Sequence, residues 1–171
     1  SIDSFIKFAI DNNDMISLYN LFISLMPIIN INYSDQSGKT VLMYAFEKHN
    51  IGAIHLIKEF FGGNINFLQT DNENNTLLFY IFKAKVDYDP VIFIIELFKL
   101  FPQELLFINI NHKNKHSKTV LNIATDHVDC YSTIVLIELY QKSLEQETMK
   151  DAYSQAKSPQ MINLLSIFAK D

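Results

Sequence analysis

Apolar residues recur along this chain in short helical rhythms, and polar clusters interrupt them at intervals. Residues 4–11 carry Phe5, Phe8 and Ala9 at helical spacing. After Asn12-Asn13-Asp14 a second helix is predicted on Met15, Leu18, Leu21, Phe22 and Leu25, with Asp14 as its cap and Pro27 as its stop. Leu42, Ala45 and Phe46 mark a third helix, and Ile54, Leu56, Ile57 and Phe60 a fourth that ends at Gly62-Gly63. Leu78 and Ile81 predict another first helix. Its partner opens at Pro90 and carries Phe93, Ile94, Leu97, Phe98 and Phe101. Leu121, Ile123 and Ala124 precede Ile134, Leu136, Ile137, Leu139 and Tyr140 in the same way. Two last helices are predicted, on Met149, Ala152, Tyr153 and Ala156 and, opened by Ser158-Pro159, on Met161, Ile162, Leu164, Leu165 and Phe168.

The interruptions repeat. Asn30-Ile31-Asn32 leads to Lys39-Thr40-Val41-Leu42 and Ala45, and Asn109-Ile110-Asn111 leads to Lys118-Thr119-Val120-Leu121 and Ala124. A degenerate copy runs from Asn64-Ile65-Asn66 to Thr76-Leu77-Leu78. Thr40, Thr76 and Thr119 each sit where a hydroxyl can cap the helix that follows. Gly38 and Asn74 hold a turn position that suits a positive φ. The second unit absorbs an insertion near 83–89, which a solenoid places on its surface. The pattern predicts an all-α solenoid of stacked helical hairpins. Its units are a terminal pair at 1–28, repeats at 29–63, 64–108 and 109–143, and a closing pair at 144–171. Leu42, Leu78 and Leu121 are expected in one buried row. The polar turns at 33–39, 69–75 and 112–118 are expected on one edge.

This unit resembles the ankyrin repeat family, in which Asn, a turn with Asp and Gly, and Thr-Pro-Leu-His-x-Ala follow one another. Asn32, Asp35, Gly38, Thr40, Leu42 and Ala45 match, with Val41 for the proline and Met43 for the histidine. Asn111, Thr119, Leu121 and Ala124 match in the third unit, where Asn114 and Ser117 depart from Asp and Gly. Asp71, Thr76 and Leu78 match in the second, where Ile81 replaces the small Ala. The resemblance implies an adaptor that binds partner proteins on a concave face made of first helices and turns, and it implies no catalysis. It also implies that losing the histidine removes a bond bracing neighbouring turns.

Composition narrows the chemistry. The chain of 171 residues is 49% hydrophobic and 19% charged, enough for a core and too apolar for disorder. All 14 basic residues are lysines, which disfavours phosphate clamps and direct nucleic-acid binding. The single cysteine, Cys130, permits no internal disulfide. No apolar run reaches membrane-span length. An intracellular setting, cytoplasmic or nuclear, is expected, including a host cell for a pathogen protein. The chain is also expected to be a fragment of something longer.

Candidate contacts lie where the units differ. Tyr33, Tyr44, Phe46, Tyr80 and Phe82 are expected near the concave face as aromatic anchors. Asp35, Glu47, Asp71 and Glu73 lie near the same surface and, with a net charge of -5, favour a basic or amphipathic partner. The third turn is basic instead, through Lys113, Lys115 and Lys118 beside His112 and His116. Those two histidines have ligand spacing only on a helix, and a turn is expected there. His127, Asp129 and Cys130 pair a thiol with a base, but a surface loop is expected. No catalytic, cofactor-binding or metal-binding residue is assigned. The leading reading is a protein-interaction module. The alternatives are a structural spacer or self-association element, and an enzyme or ligand-binding module using the inserted or C-terminal loops.

Overall fold

The computed structural model describes residues 1–126 and 131–169, and those residues form an all-α stack. The first layer is α1 (Ile2–Asp11) and α2 (Met15–Leu25), with the Asp14 carboxylate accepting from Ser17 N as an N-cap. The predicted face of α1 is corrected. Ile6, Ala9 and Ile10 are buried, while Phe5 and Phe8 are 66% and 69% exposed. Both sets obey helical spacing, and only the set facing the next layer is covered.

The second layer is α3 (Val41–Glu47) and α4 (Ile51–Phe61). Thr40 caps α3 through Met43 N, and the Met43 sulfur accepts from Thr40 N at 3.5 Å. Thr119 caps α7 (Val120–Ala124) in the same way. There Asn122 Oδ1 accepts from Thr119 N at 2.8 Å. The residue in the family's histidine place therefore still closes the helix start.

The first helix of the second repeat departs from expectation. Leu77–Phe82 is a 3-10 helix with all six side chains buried, and Thr76 makes no side-chain cap. Ile81 holds the place of Ala45 and Ala124, the small residues that let inner helices approach. The helix packs between α3 and α7, with Leu42, Leu78 and Leu121 buried in successive layers as expected. The inner row runs α1, α3, the 3-10 helix, α7 and α9 (Gln146–Gln155). The outer row runs α2, α4, α5 (Val91–Leu100) and α8 (Tyr131–Leu139), and α10 (Pro159–Phe168) packs on α9. A short α6 (Pro102–Leu106) follows α5 directly.

Candidate functional site

Three turns stand along one edge of the inner row, and one acceptor builds each of them. Asp35 Oδ1 accepts from Ser37 N at 2.9 Å and Lys39 N at 3.0 Å. Asp71 Oδ1 accepts from Glu73 N and Asn75 N, both at 2.9 Å. Asn114 Oδ1 accepts from His116 N at 2.9 Å and Lys118 N at 3.1 Å. Asn114 departs from the aspartate pattern yet performs its role, because the amide oxygen accepts in the same place. The left-handed position is held by Gly38 (φ 81), Asn74 (φ 61) and Ser117 (φ 58).

The turns join to one another through the backbone. Asn72 N donates to Ser37 O at 2.9 Å, and Lys115 N donates to Glu73 O at 2.9 Å, so one bond recurs at equivalent places. Side chains reinforce it. Asn72 Nδ2 reaches back to Gln36 O at 2.7 Å, and Asn74 Nδ2 reaches forward to Lys113 O at 3.2 Å. His112 bonds Asn74 O at 2.8 Å. Below the turns, Asn32 donates to Asn64 O and accepts from Asn66 N. Asn111 does the same with Ser143 O and Glu145 N. The repeated Asn-Ile-Asn string thus supplies rivets between layers.

The inner helices carry a ladder of lysines over tyrosines. Lys7, Lys39 and Lys48 stand 5.7, 5.6 and 5.4 Å from the Tyr44 ring centroid. Lys39 and Lys83 stand 5.6 and 4.6 Å from that of Tyr80. Each ammonium also has a carboxylate: Lys7 with Asp3 and Asp35, Lys39 with Glu47, Lys48 with Asp11, Lys83 with Asp71. Burial raises the Asp35 carboxyl, but bonds from Ser37, Lys7 and the turn backbone outweigh it. They hold the group well below the usual carboxylate range. Asp71 is lowered by the same balance, with Tyr80 and Asn75 as donors. Burial pushes the Tyr44 and Tyr80 phenols up, and the carboxylates of Asp11 and Asp71 add to the effect.

The predicted contacts separate into three sets. Phe46, Tyr80 and Phe82 are core residues rather than surface anchors. Asp71 is buried as well, donated to by Tyr80 at 2.5 Å. Tyr80 and Phe82 lie on the 3-10 helix, which is packed between α3 and α7 and buries all six of its side chains, and Phe46 lies on α3 against Phe93. Tyr44 is half-buried, with its hydroxyl on Asp11 at 2.5 Å, and Asp35 and Glu47 are half-buried and ion-paired. Tyr33, Glu73, Lys113 and Lys115 are exposed along the turn edge, with Glu73 meeting His116 Nε2 at 3.0 Å. Lys118 is engaged by Gln155 at 2.5 Å. His112 and His116 address different turns. Among the described residues no group of three or more His, Cys, Asp or Glu could hold a metal. His127, Asp129 and Cys130 lie outside the described residues.

Sequence reasoning missed the fastening of the inserted segment. His49, at φ 51, bonds Tyr88 OH and Ile81 O, each at 2.7 Å, and stacks on Phe93 at 4.4 Å. Asp89 accepts from Val91 N at 3.0 Å and Ser132 N at 3.1 Å, joining the starts of α5 and α8. The Asp-Pro pair before α5 was the available signal for the first of these bonds. Nothing local signals the second.

No family model matches the chain, and no curated protein matches it in sequence. Among solved structures, the ankyrin repeat domain of Bcl-3, described as a unique member of the IkappaB protein family, superposes with a TM-score of 0.70 at 12% identity. The match covers 98% of this chain and 72% of that one. The chain has an ankyrin-repeat fold. Among the described residues no helix is long and apolar enough to cross a membrane.

Proposed function

We propose that this chain is a protein-recognition module that holds a partner segment along its turn edge and inner helices. The fold is one generally associated with protein–protein interaction. The observation that carries the reading is the division of labour among the predicted residues. The repeated ones are consumed in building the stack, whereas Tyr33, Lys113 and Lys115 remain exposed on one edge. The carboxylates that suggested a basic partner are already committed, to Lys7, Lys39, Lys83 and His116. The charges left over at the third turn are lysines, so the partner segment is acidic there.

Capture from source-cell extract tests this, with three proteins compared: wild type, a turn-edge variant (Tyr33→Ala with Lys113→Glu and Lys115→Glu) and an outer-row variant (Ile92→Asp). A partner retained by the wild type and the outer-row variant but lost by the turn-edge variant is expected. A partner lost only from the outer-row variant would place recognition on the other side of the stack.

A spacer or self-association role is favoured by one observation, the exposure of Phe5 and Phe8 on the first helix. Sedimentation of Phe5→Ser with Phe8→Ser separates it. A wild-type dimer that this pair dissolves would support that role.

A further inference from the structure

Most polar side chains on the turn edge help to build it, and the Glu73 carboxylate does not. Asp35, Asp71 and Asn114 each hold the backbone of their own turn. Asn72 and Asn74 reach neighbouring turns, and Ser37 Oγ donates to Asp35. The Glu73 carboxylate bonds nothing in its own turn. It crosses to the third turn and accepts from His116 Nε2 at 3.0 Å, with the two side chains 53% and 69% exposed. The turns do not need this contact. Lys115 N to Glu73 O, Asn74 Nδ2 to Lys113 O, His112 to Asn74 O and Asn114 Nδ2 to Asn75 Oδ1 already join them. A contact this wet adds little to stability and exchanges readily with other carboxylates. The charge around it is of the opposite sign. Lys113 and Lys115 flank Asn114, both exposed, and among the described residues neither ammonium has a carboxylate.

We infer that Glu73 is an internal competitor of the partner segment: its carboxylate holds, on His116 Nε2, the place that an acidic side chain of the partner takes. This role rests on the acidic partner proposed for the third turn, and it sets how tightly that partner is held. The lysines attract the segment, and His116 offers one of its carboxylates a directed donor. Glu73 opposes both, by occupying the donor and by repelling a second negative charge. Two carboxylates about 7 Å apart in water repel enough to change affinity about threefold before salt screens them. A segment with a single carboxylate gains little by displacing Glu73. A segment with several gains through Lys113 and Lys115 as well, so Glu73 selects for clustered acidic residues.

Fluorescence anisotropy with a labelled Glu/Ser peptide tests the competition on the whole chain at low salt, with a Gln/Ser peptide as the neutral comparison. Glu73→Gln removes only the carboxylate and keeps the backbone bonds of residue 73. It should bind the Glu/Ser peptide about threefold more tightly than wild type, the repulsion worked above. Adding His116→Ala to Glu73→Gln should return the affinity toward that of wild type. Glu104→Gln removes the same charge from α6 and should leave the affinity unchanged, which separates a local competitor from the net charge. Equal or weaker binding by Glu73→Gln, or a gain matched by Glu104→Gln, overturns the competitor and leaves the turn-edge reading standing. Binding that survives Lys113→Glu with Lys115→Glu, or no binding of the Glu/Ser peptide by any of these proteins, overturns both.

Discussion

Replacing Gly38 by alanine should be among the most damaging single-methyl changes available on this surface. Gly38 has φ 81, where an L-residue costs about 1–2 kcal/mol. A Cβ there would lie 2.7 Å from Asn72 N, 2.7 Å from Asn72 Oδ1 and 3.0 Å from Asp71 C. Those are atoms of the next turn, two of them backbone, so relief requires the turns to part. Overpacking of this kind costs about 1–3 kcal/mol. Parting the turns also endangers the bond from Asn72 N to Ser37 O, worth about 0.5–1.5 kcal/mol. These terms overlap, and the expected loss is about 2–4 kcal/mol. Ser117 is the internal control, at φ 58 but exposed on the last turn. Ser117→Gly removes the left-handed strain and adds unfolded-state freedom, so it should change stability by under about 1 kcal/mol, toward greater stability. Equilibrium urea unfolding followed by circular dichroism reads both, and with a slope of about 2 kcal/mol per molar the Gly38→Ala midpoint should fall by about 1 M or more. If Gly38→Ala unfolds within about 0.5 kcal/mol of wild type, the turns are not packed as described.

Leu78→Ala removes a fully buried side chain from the middle layer and should cost about 2–5 kcal/mol in the same assay. Asp35 and Asp71 have folded pKa values below the ordinary 3.8, so their contribution is whole above that value and is lost as pH falls through the folded pKa. Asp71→Asn should therefore flatten the acid limb of stability against pH, and an unchanged limb would refute the assignment. Asn111→Ala breaks bonds to Ser143 O and from Glu145 N, and should speed amide exchange at Glu145 and in α9 while leaving α1 unaffected. His49→Ala removes the contacts to Tyr88 and Ile81, and should expose 83–89 to proteolysis.

The repeat itself was readable because its signals are local. Thr40 and Thr119 cap, Ala45 and Ala124 permit close approach, and Asn74 takes the left-handed place that Gly38 takes one layer earlier. Residues that act across layers were harder to place. Asn72 gave no sign that it would fill the space above Gly38, nor Asp89 that it would reach Ser132, because both contacts span a full unit. Tyr80 and Phe82 were hard to place for a different reason. A run of six apolar residues, Leu77–Phe82, has no helical period to read, and tertiary packing chose the 3-10 coil that buries them all. The pairing of the surface carboxylates was not legible because Lys7, which lies in the first helix, answers Asp35 in the first turn.

Amide hydrogen exchange at Gln36, Asn72 and Lys115 tests the central claim, that the turns form one ladder in register. The three residues hold equivalent places and all are exposed by side chain. Asn72 and Lys115 donate to the preceding turn and Gln36 does not. The account predicts protection at Asn72 and Lys115 and none at Gln36. Equal exchange at all three would contradict it.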